Sequence, residues 1–250
     1  MTGDDHALAR DLAGQAGGRL TGLRAQGGDP DVLRKAGDRL SHEFLVAALA
    51  ARRPGDVVLS EEGADNPARL GARRVWIVDP LDGTREFGEP GRTDWAVHVA
   101  LWEDGDLTGG AVALPAQGTV LSTAEPPPPP RDGAPGRIRI VVSRSRPPRF
   151  VRNISGLIDA ELVPLGSAGA KVAAVINGEV DAYVHGGGFY EWDTAAPVTV
   201  ARAAGLHASR IDGSALAYNQ PDLLMPDILV CRPALAGILL QAIREVTNAP

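Results

Sequence analysis

The chain holds a single cysteine, Cys231, among 250 residues, so an internal disulfide is excluded. In DILVCRP that cysteine reads as a small buried strand residue. Aromatic residues are scarce at 4%, which leaves a core built mainly from Val, Leu and Ala. Neither a long apolar run nor a charged-then-apolar leader is present, and with the lone cysteine this predicts a cytoplasmic protein without a membrane partner. An excess of positive charge is also missing. The chain carries 25 Lys and Arg against 31 Asp and Glu, a net −6, and this excludes a field suited to a nucleic-acid polymer. Any phosphorylated ligand must therefore be small and held by a local cluster. What is plentiful is glycine (30) and proline (20), the residues of tight loops.

Apolar spacing predicts a helix over residues 4–25, broken by QGGDP, then a loop and a second helix from about Asp38 to Arg53. VVLS (57–60) and RVWIVD (74–79) read as strands that end in acids, and residues 95–124 read as a hairpin turning at Asp104–Gly105 with a further strand behind it. PPPPPRDGAPG (126–136) lacks the amide donors a sheet requires and reads as a linker or surface loop. Beyond it, strands at 137–143, 161–165, 180–185 and 227–231 alternate with helices near 148–158, 168–176, after WDTAAP and near 234–246. The expected fold class is α/β, with an α+β domain over 1–125 and an α/β domain over 137–250.

The stretch WIVDPLDGTREF (76–87) concentrates the chemistry. Pro80 disfavours helical geometry at Asp79, so that carboxylate should leave the end of the strand. Asp82 follows three residues later, and Gly83 permits the turn that brings both carboxylates and the Leu81 carbonyl to one face. Thr84 then opens a helix with its hydroxyl toward the same space. Taken alone, the segment fits a solvated turn as well as the floor of a site. LSEEG (59–63) repeats the pattern with Glu61 and Glu62, where a surface pair is the plain alternative. Convergent carboxylates repel unless cations or protons sit among them, and hard oxygen donors suit Mg²⁺. EWDTAAP places Asp193 at a helix start, as a ligand or as an N-cap. GSAGAK puts Ser167 at another start with Lys171 one turn in, an arrangement able to cradle an anion.

WIVDPLDGTREF, LSEEG, GSAGAK followed by NGEVDAY, and EWDTAAP, in this order and over roughly residues 35–210, resemble the inositol monophosphatase superfamily of Mg²⁺-dependent, lithium-sensitive phosphatases. The SEE element with Arg85-Glu86-Phe87 is most similar to its 3′(2′),5′-bisphosphate nucleotidase branch, since inositol-type members usually carry Thr-Asn-Phe there. The resemblance implies a layered α-β-α-β-α sandwich with the site between the halves, two or three Mg²⁺ ions, and an assembly that is often a homodimer. It makes Glu61, Asp79, the Leu81 carbonyl, Asp82 and Asp193 metal ligands. Asp38 falls in the family's Thr-x-x-Asp element, which with Thr84 orients the attacking water, although Lys35 replaces the threonine here; Glu61 is expected to be catalytic as well, positioning that nucleophile through a metal-bound water.

The implied substrate is a small phosphorylated nucleotide, 3′-phosphoadenosine 5′-phosphate or its sulfated parent, handled in sulfate assimilation. Gly83, Thr84, Arg85, Arg146, Ser167, Lys171 and Asp193 are the expected substrate contacts, with Arg144 as an alternative to Arg146. Trp95 and Tyr190 are available to an adenine, with core packing as the plainer role, and His98 and His185 read as strand residues. Three rivals stay open: an inositol-1-phosphate or fructose-1,6-bisphosphate phosphatase, a metal-free carboxylate glycosidase, and a non-catalytic metal- or nucleotide-binding regulator.

Overall fold

A computed structural model describes residues 4–130 and 136–247; residues 131–135 of the proline-rich stretch lie outside the described residues. In chain order the elements are α1 (Asp5–Ala25), α2 (Pro30–Arg52), β1 (Val57–Ser60), β2 (Arg74–Asp82), α3 (Thr84–Gly88), β3 (Ala96–Glu103), β4 (Asp106–Leu114) and β5 (Thr119–Ser122). The second half continues with β6 (Arg139–Ser143), α4 (Arg149–Leu157), β7 (Glu161–Leu165), α5 (Ala168–Ile176), β8 (Ala182–His185), β9 (Phe189–Tyr190) and α6 (Glu191–Ala203). It closes with β10 (His207–Ser209), β11 (Leu224–Met225), β12 (Ile228–Cys231) and α7 (Pro233–Thr247).

Two five-stranded sheets carry the fold, in the orders β1-β2-β3-β4-β5 and β10-β12-β8-β6-β7. Three core clusters fill the spaces between layers. Leu8, Leu12, Leu45 and Leu49 from α1 and α2 pack on Trp76, Val78 and Val97 of the first sheet. Val172, Ala173, Ala195 and Val198 from α5 and α6 fill the space between the sheets with Ile77, Ala100 and Val141. Val151, Leu239 and Ile243 cover the outer face of the second sheet. The result is the α-β-α-β-α sandwich. Among the described residues no helix is long and apolar enough to cross a membrane.

The second helix departs from the sequence-based expectation, because α2 begins at Pro30 rather than Asp38. Asp29 accepts hydrogen bonds from the amides of Asp31 and Val32, and Pro30 sits in the first turn where its missing amide costs nothing. Gly37, which reads as a breaker, lies inside α2 for a packing reason. A Cβ there would meet Phe87 at 2.8 Å and Leu81 at 3.0 Å. Asp38 is thus carried on a rigid helix pressed against the acidic loop.

Candidate active site

In a regular strand, Asp79 and Asp82, three residues apart, would point to opposite faces. Here Asp79 pairs with His98 and Asp82 with Ala96, so three steps on β2 match two on β3. This bulge at Pro80 and Leu81 turns both aspartates to the face shared by His98 and Ala96. β1 runs parallel beside β2, which places Glu61 just past the end of its strand next to Asp79. Gly83 adopts φ 84° and ψ 42°, left-handed geometry that suits glycine, and a Cβ there would press on Ser167 at 3.1 Å. From the other half, Asp193 occupies the first turn of α6, where its Oδ2 accepts from the Tyr190 amide at 2.6 Å.

Ligand atoms of Asp79, Asp82 and Asp193 lie within 4.8 Å of one another, so the sheet and α6 jointly form an acidic cluster. The crowding shows in their protonation. Asp79 is pushed well above the usual carboxylate range by burial and then by Glu61 and Asp82. Glu61, although solvent-exposed as a residue, rises to about 7 through desolvation of its carboxyl and the charge of Asp193. Asp193 rises to about 6 for the same two reasons, with Asp82 as its charged neighbour. Asp82 goes the other way. Burial raises it, but hydrogen bonding and charge from His98, then Lys171 and Ser167, outweigh that and hold it at about 2. Raised carboxyls beside a firmly ionised one are what a set of hard oxygen donors shows when it lacks its cation, so the donors fit a divalent metal.

The neighbouring helix supplies an anchor. Ser167 Oγ donates to Asp82 Oδ2 at 2.5 Å, the Gly169 amide donates to the same oxygen at 2.7 Å, and the Ala170 amide donates to Ser167 Oγ. The anion cradled at this helix start is therefore the Asp82 carboxylate. Lys171 is buried and donates to the carbonyls of Gly166 and Ser167 at 2.8 and 2.7 Å, which leaves one ammonium hydrogen beside the cavity. Thr84 Oγ1 lies 3.0 Å from the Leu81 carbonyl and 3.3 Å from Asp38 Oδ1, and its single proton serves one at a time. Asp38 rises to about 6, mainly through burial and then through Glu62.

A cavity of ≈ 940 Å³ is lined by Glu61, Asp82, Thr84 and Asp193 and, from a loop, by Ser145 and Arg146. Arg85 also lines it, but its guanidinium pairs with Glu89 at 3.0 Å and is largely solvated. Arg144 is committed elsewhere, to Asp94 at 2.9 Å and Glu86 at 3.5 Å. Trp95 is core, edge-on to Phe87 at 5.0 Å, whereas Tyr190 is exposed on the cavity rim and stacks on Trp192 at 4.8 Å. His185 lines the same cavity, and burial followed by Lys171 and Arg146 lowers it to about 4.

The sequence pointed to no role for Asp94 and made His98 a strand residue, which it is, but not one beside the acids. Asp94 accepts from the Gly166 amide at 2.6 Å while paired with Arg92 and Arg144, and so pins the 166–167 turn over the acids. His98 touches Asp82 directly. The available signal was one acid and one histidine around an otherwise apolar strand.

Comparison with known proteins agrees with this geometry. The sequence profile of the inositol monophosphatase family matches residues 7–248. A 3′-phosphoadenosine 5′-phosphate phosphatase of Mycobacterium leprae (strain TN) is 52% identical over 260 residues, covering 97% of this chain and 94% of its own length. The 3′(2′),5′-bisphosphate nucleotidase CysQ of Escherichia coli (strain K12) is 34% identical over 199 residues, 74% of this chain and 78% of its own. The crystal structure of inositol monophosphatase-II from Staphylococcus aureus MSSA476 superposes with a TM-score of 0.79 at 22% identity, covering 97% of this chain and 93% of that one.

Proposed function

The chain belongs to the inositol monophosphatase family, and on that premise we propose that it is an Mg²⁺-dependent phosphatase removing the 3′-phosphate of 3′-phosphoadenosine 5′-phosphate. The products are AMP and phosphate, and the sulfated parent nucleotide is a second substrate in the same cytoplasmic sulfate metabolism. The observation that carries the reading is the 52% identity to a phosphatase of that name across nearly the whole chain. The acid-lined cavity supports it, with Arg146 also in its lining.

Asp79, Asp82, Asp193, Glu61 and the Leu81 carbonyl would hold two or three Mg²⁺ ions. When bound, the metal neutralises phosphate charge and makes a water more acidic. The remaining work falls to the chain's own groups. Thr84 Oγ1 and Asp38 Oδ1 orient the attacking water, and Asp38, at about 6, is ionised at neutral pH and able to accept its proton. The water oxygen bonds to phosphorus as its proton passes to Asp38, the P–O3′ bond breaks, and the ribose oxygen takes up a proton from solvent, to which Asp38 later returns its own. Arg146, with Arg85 and the free hydrogen of Lys171, offers positive charge to the second phosphate. The exposed ring of Tyr190, backed by Trp192, offers a face to the adenine.

The glycosidase rival needs one carboxyl on each side of a bond, whereas three aspartates converge here within 4.8 Å, an arrangement that suits a cation. Phosphate release from 3′-phosphoadenosine 5′-phosphate should require Mg²⁺, stop with EDTA and be inhibited by lithium. Undiminished release in EDTA would overturn the metal assignment.

A further inference from the structure

β3 carries one histidine in an apolar run, and the mechanism above does not use it. His98 is fully buried on the face that the β2 bulge gives to both aspartates. Its Nε2 lies 3.2 Å from Asp82 Oδ2, and its Nδ1 lies 3.1 Å from the main-chain oxygen of Trp192, the residue before Asp193. Nδ1 is also 3.9 Å from Asp79 Oδ2. The main-chain oxygen of Trp192 only accepts, so Nδ1 is the donor in that contact. Nε2 makes a close contact but no hydrogen bond there, and the carboxylate oxygen it approaches receives Ser167 and the Gly169 amide. Gly169 makes the approach possible. A Cβ there would come within 2.1 Å of His98 Nε2 and 3.0 Å of Ala96 Cβ.

We propose that His98 is a positioning residue of the metal centre, joining Asp82 on the first sheet to the start of the helix that carries Asp193. With Ser167 and Gly169 it occupies one oxygen of Asp82, leaving the other for the metal, and it fixes the distance between the two halves of the ligand set. The proposal rests on the metal-centre reading. Groups that orient ligating carboxylates in this way change metal affinity when removed, typically by about 10–100-fold.

The test is calorimetric titration of Mg²⁺ into the metal-free full chain, alongside thermal melts, for the parent, His98→Leu, His98→Gln and Gly169→Ala. A parent that binds no Mg²⁺ overturns the metal-centre reading and the role of His98 with it. Given a binding parent, His98→Leu should lose about 10–100-fold in affinity, and His98→Gln, which keeps one donor, should lose less. Gly169→Ala should weaken binding with His98 intact, because it displaces the ring. At saturating Mg²⁺ the substrate KM should stay at the parent value in all three variants. Folded His98→Leu with parental Mg²⁺ affinity would overturn the proposal, since a packing role lowers Tm alone. Should His98→Leu not fold, parental affinity in both His98→Gln and Gly169→Ala would overturn it equally.

Discussion

The two walls of the cavity are built differently. Among the acid-side groups, Asp82, Asp193 and Thr84 sit on a bulge or in the first turn of a helix, Asp38 sits within α2, and the first three are each tied to a neighbour: Asp82 to Ser167, Asp193 to the Tyr190 amide, Thr84 to Leu81. The other wall is made of loop residues, the exposed Ser145, Arg146, Gly186 and Gly188 and the half-buried Gly187. The contrast separates two jobs. On the proposed function, chemistry that depends on tenths of an ångström falls to rigid elements, while recognition of a second phosphate and a base falls to loop side chains that can adjust.

Breaking the acid wall should have the largest effect. Asp82→Asn removes the one firmly ionised acid, and we expect kcat to fall on the order of 10³-fold or more with protein still folded, measured by phosphate release at saturating Mg²⁺. Thr84→Ala or Asp38→Asn leaves the ligand set intact and disturbs only the water, so a loss of roughly 10²-fold in kcat is expected, with substrate KM nearly unchanged. On the other wall, Arg146→Gln should raise KM about tenfold for the bisphosphate and leave a monophosphate substrate unaffected, which a paired Michaelis analysis would show. The smallest effect belongs to Arg85→Gln. Its charge is already spent on Glu89 in solvent, so a change of no more than about threefold in KM is expected.

Protonation sharpens the same comparison. Glu61 at about 7, together with Asp79 above the carboxylate range, means that the folded metal-free chain holds more protons than the unfolded chain near neutrality. Stability must then fall as pH rises through that window. His185, lowered to about 4 from 6.5, acts in the opposite sense below 6.5, so the clean range is about pH 6.5 to 8. The metal-free Tm should drop by a few degrees across it, and added Mg²⁺ should raise Tm more at the upper end, as scanning fluorimetry would report. A flat metal-free profile would mean that the acids are not coupled.

Much of the fold was legible because strand and helix periods are clean and the turns carry Gly, Pro and Asp-Gly. Asp79, Asp82 and Asp193 were legible as acids at element ends, and the structure brings them together. The long start of α2 was not, because a glycine that reads as a breaker is required by the Phe87 and Leu81 contacts it faces. The short strands β9, β10 and β11 were also missed, being two or three residues long with no periodicity to read. The bulge was hidden for a deeper reason. Pro80 announces that the strand changes, but only pairing with β3 shows that the change restores a common face for Asp79 and Asp82. Arg85 and Arg144 read as cations for a phosphate, yet Arg85 pairs with Glu89 one helical turn on, and Arg144 pairs with Asp94, which only the fold brings near.

The central claim, that the acid wall cleaves and the opposite wall selects a nucleotide bisphosphate, is tested most directly by competition. Equal amounts of 3′-phosphoadenosine 5′-phosphate and inositol 1-phosphate, followed together by ³¹P NMR with Mg²⁺ present, should show the nucleotide consumed first and AMP accumulating with free phosphate. Preferential loss of inositol 1-phosphate, or appearance of adenosine 3′-phosphate instead of AMP, would contradict it.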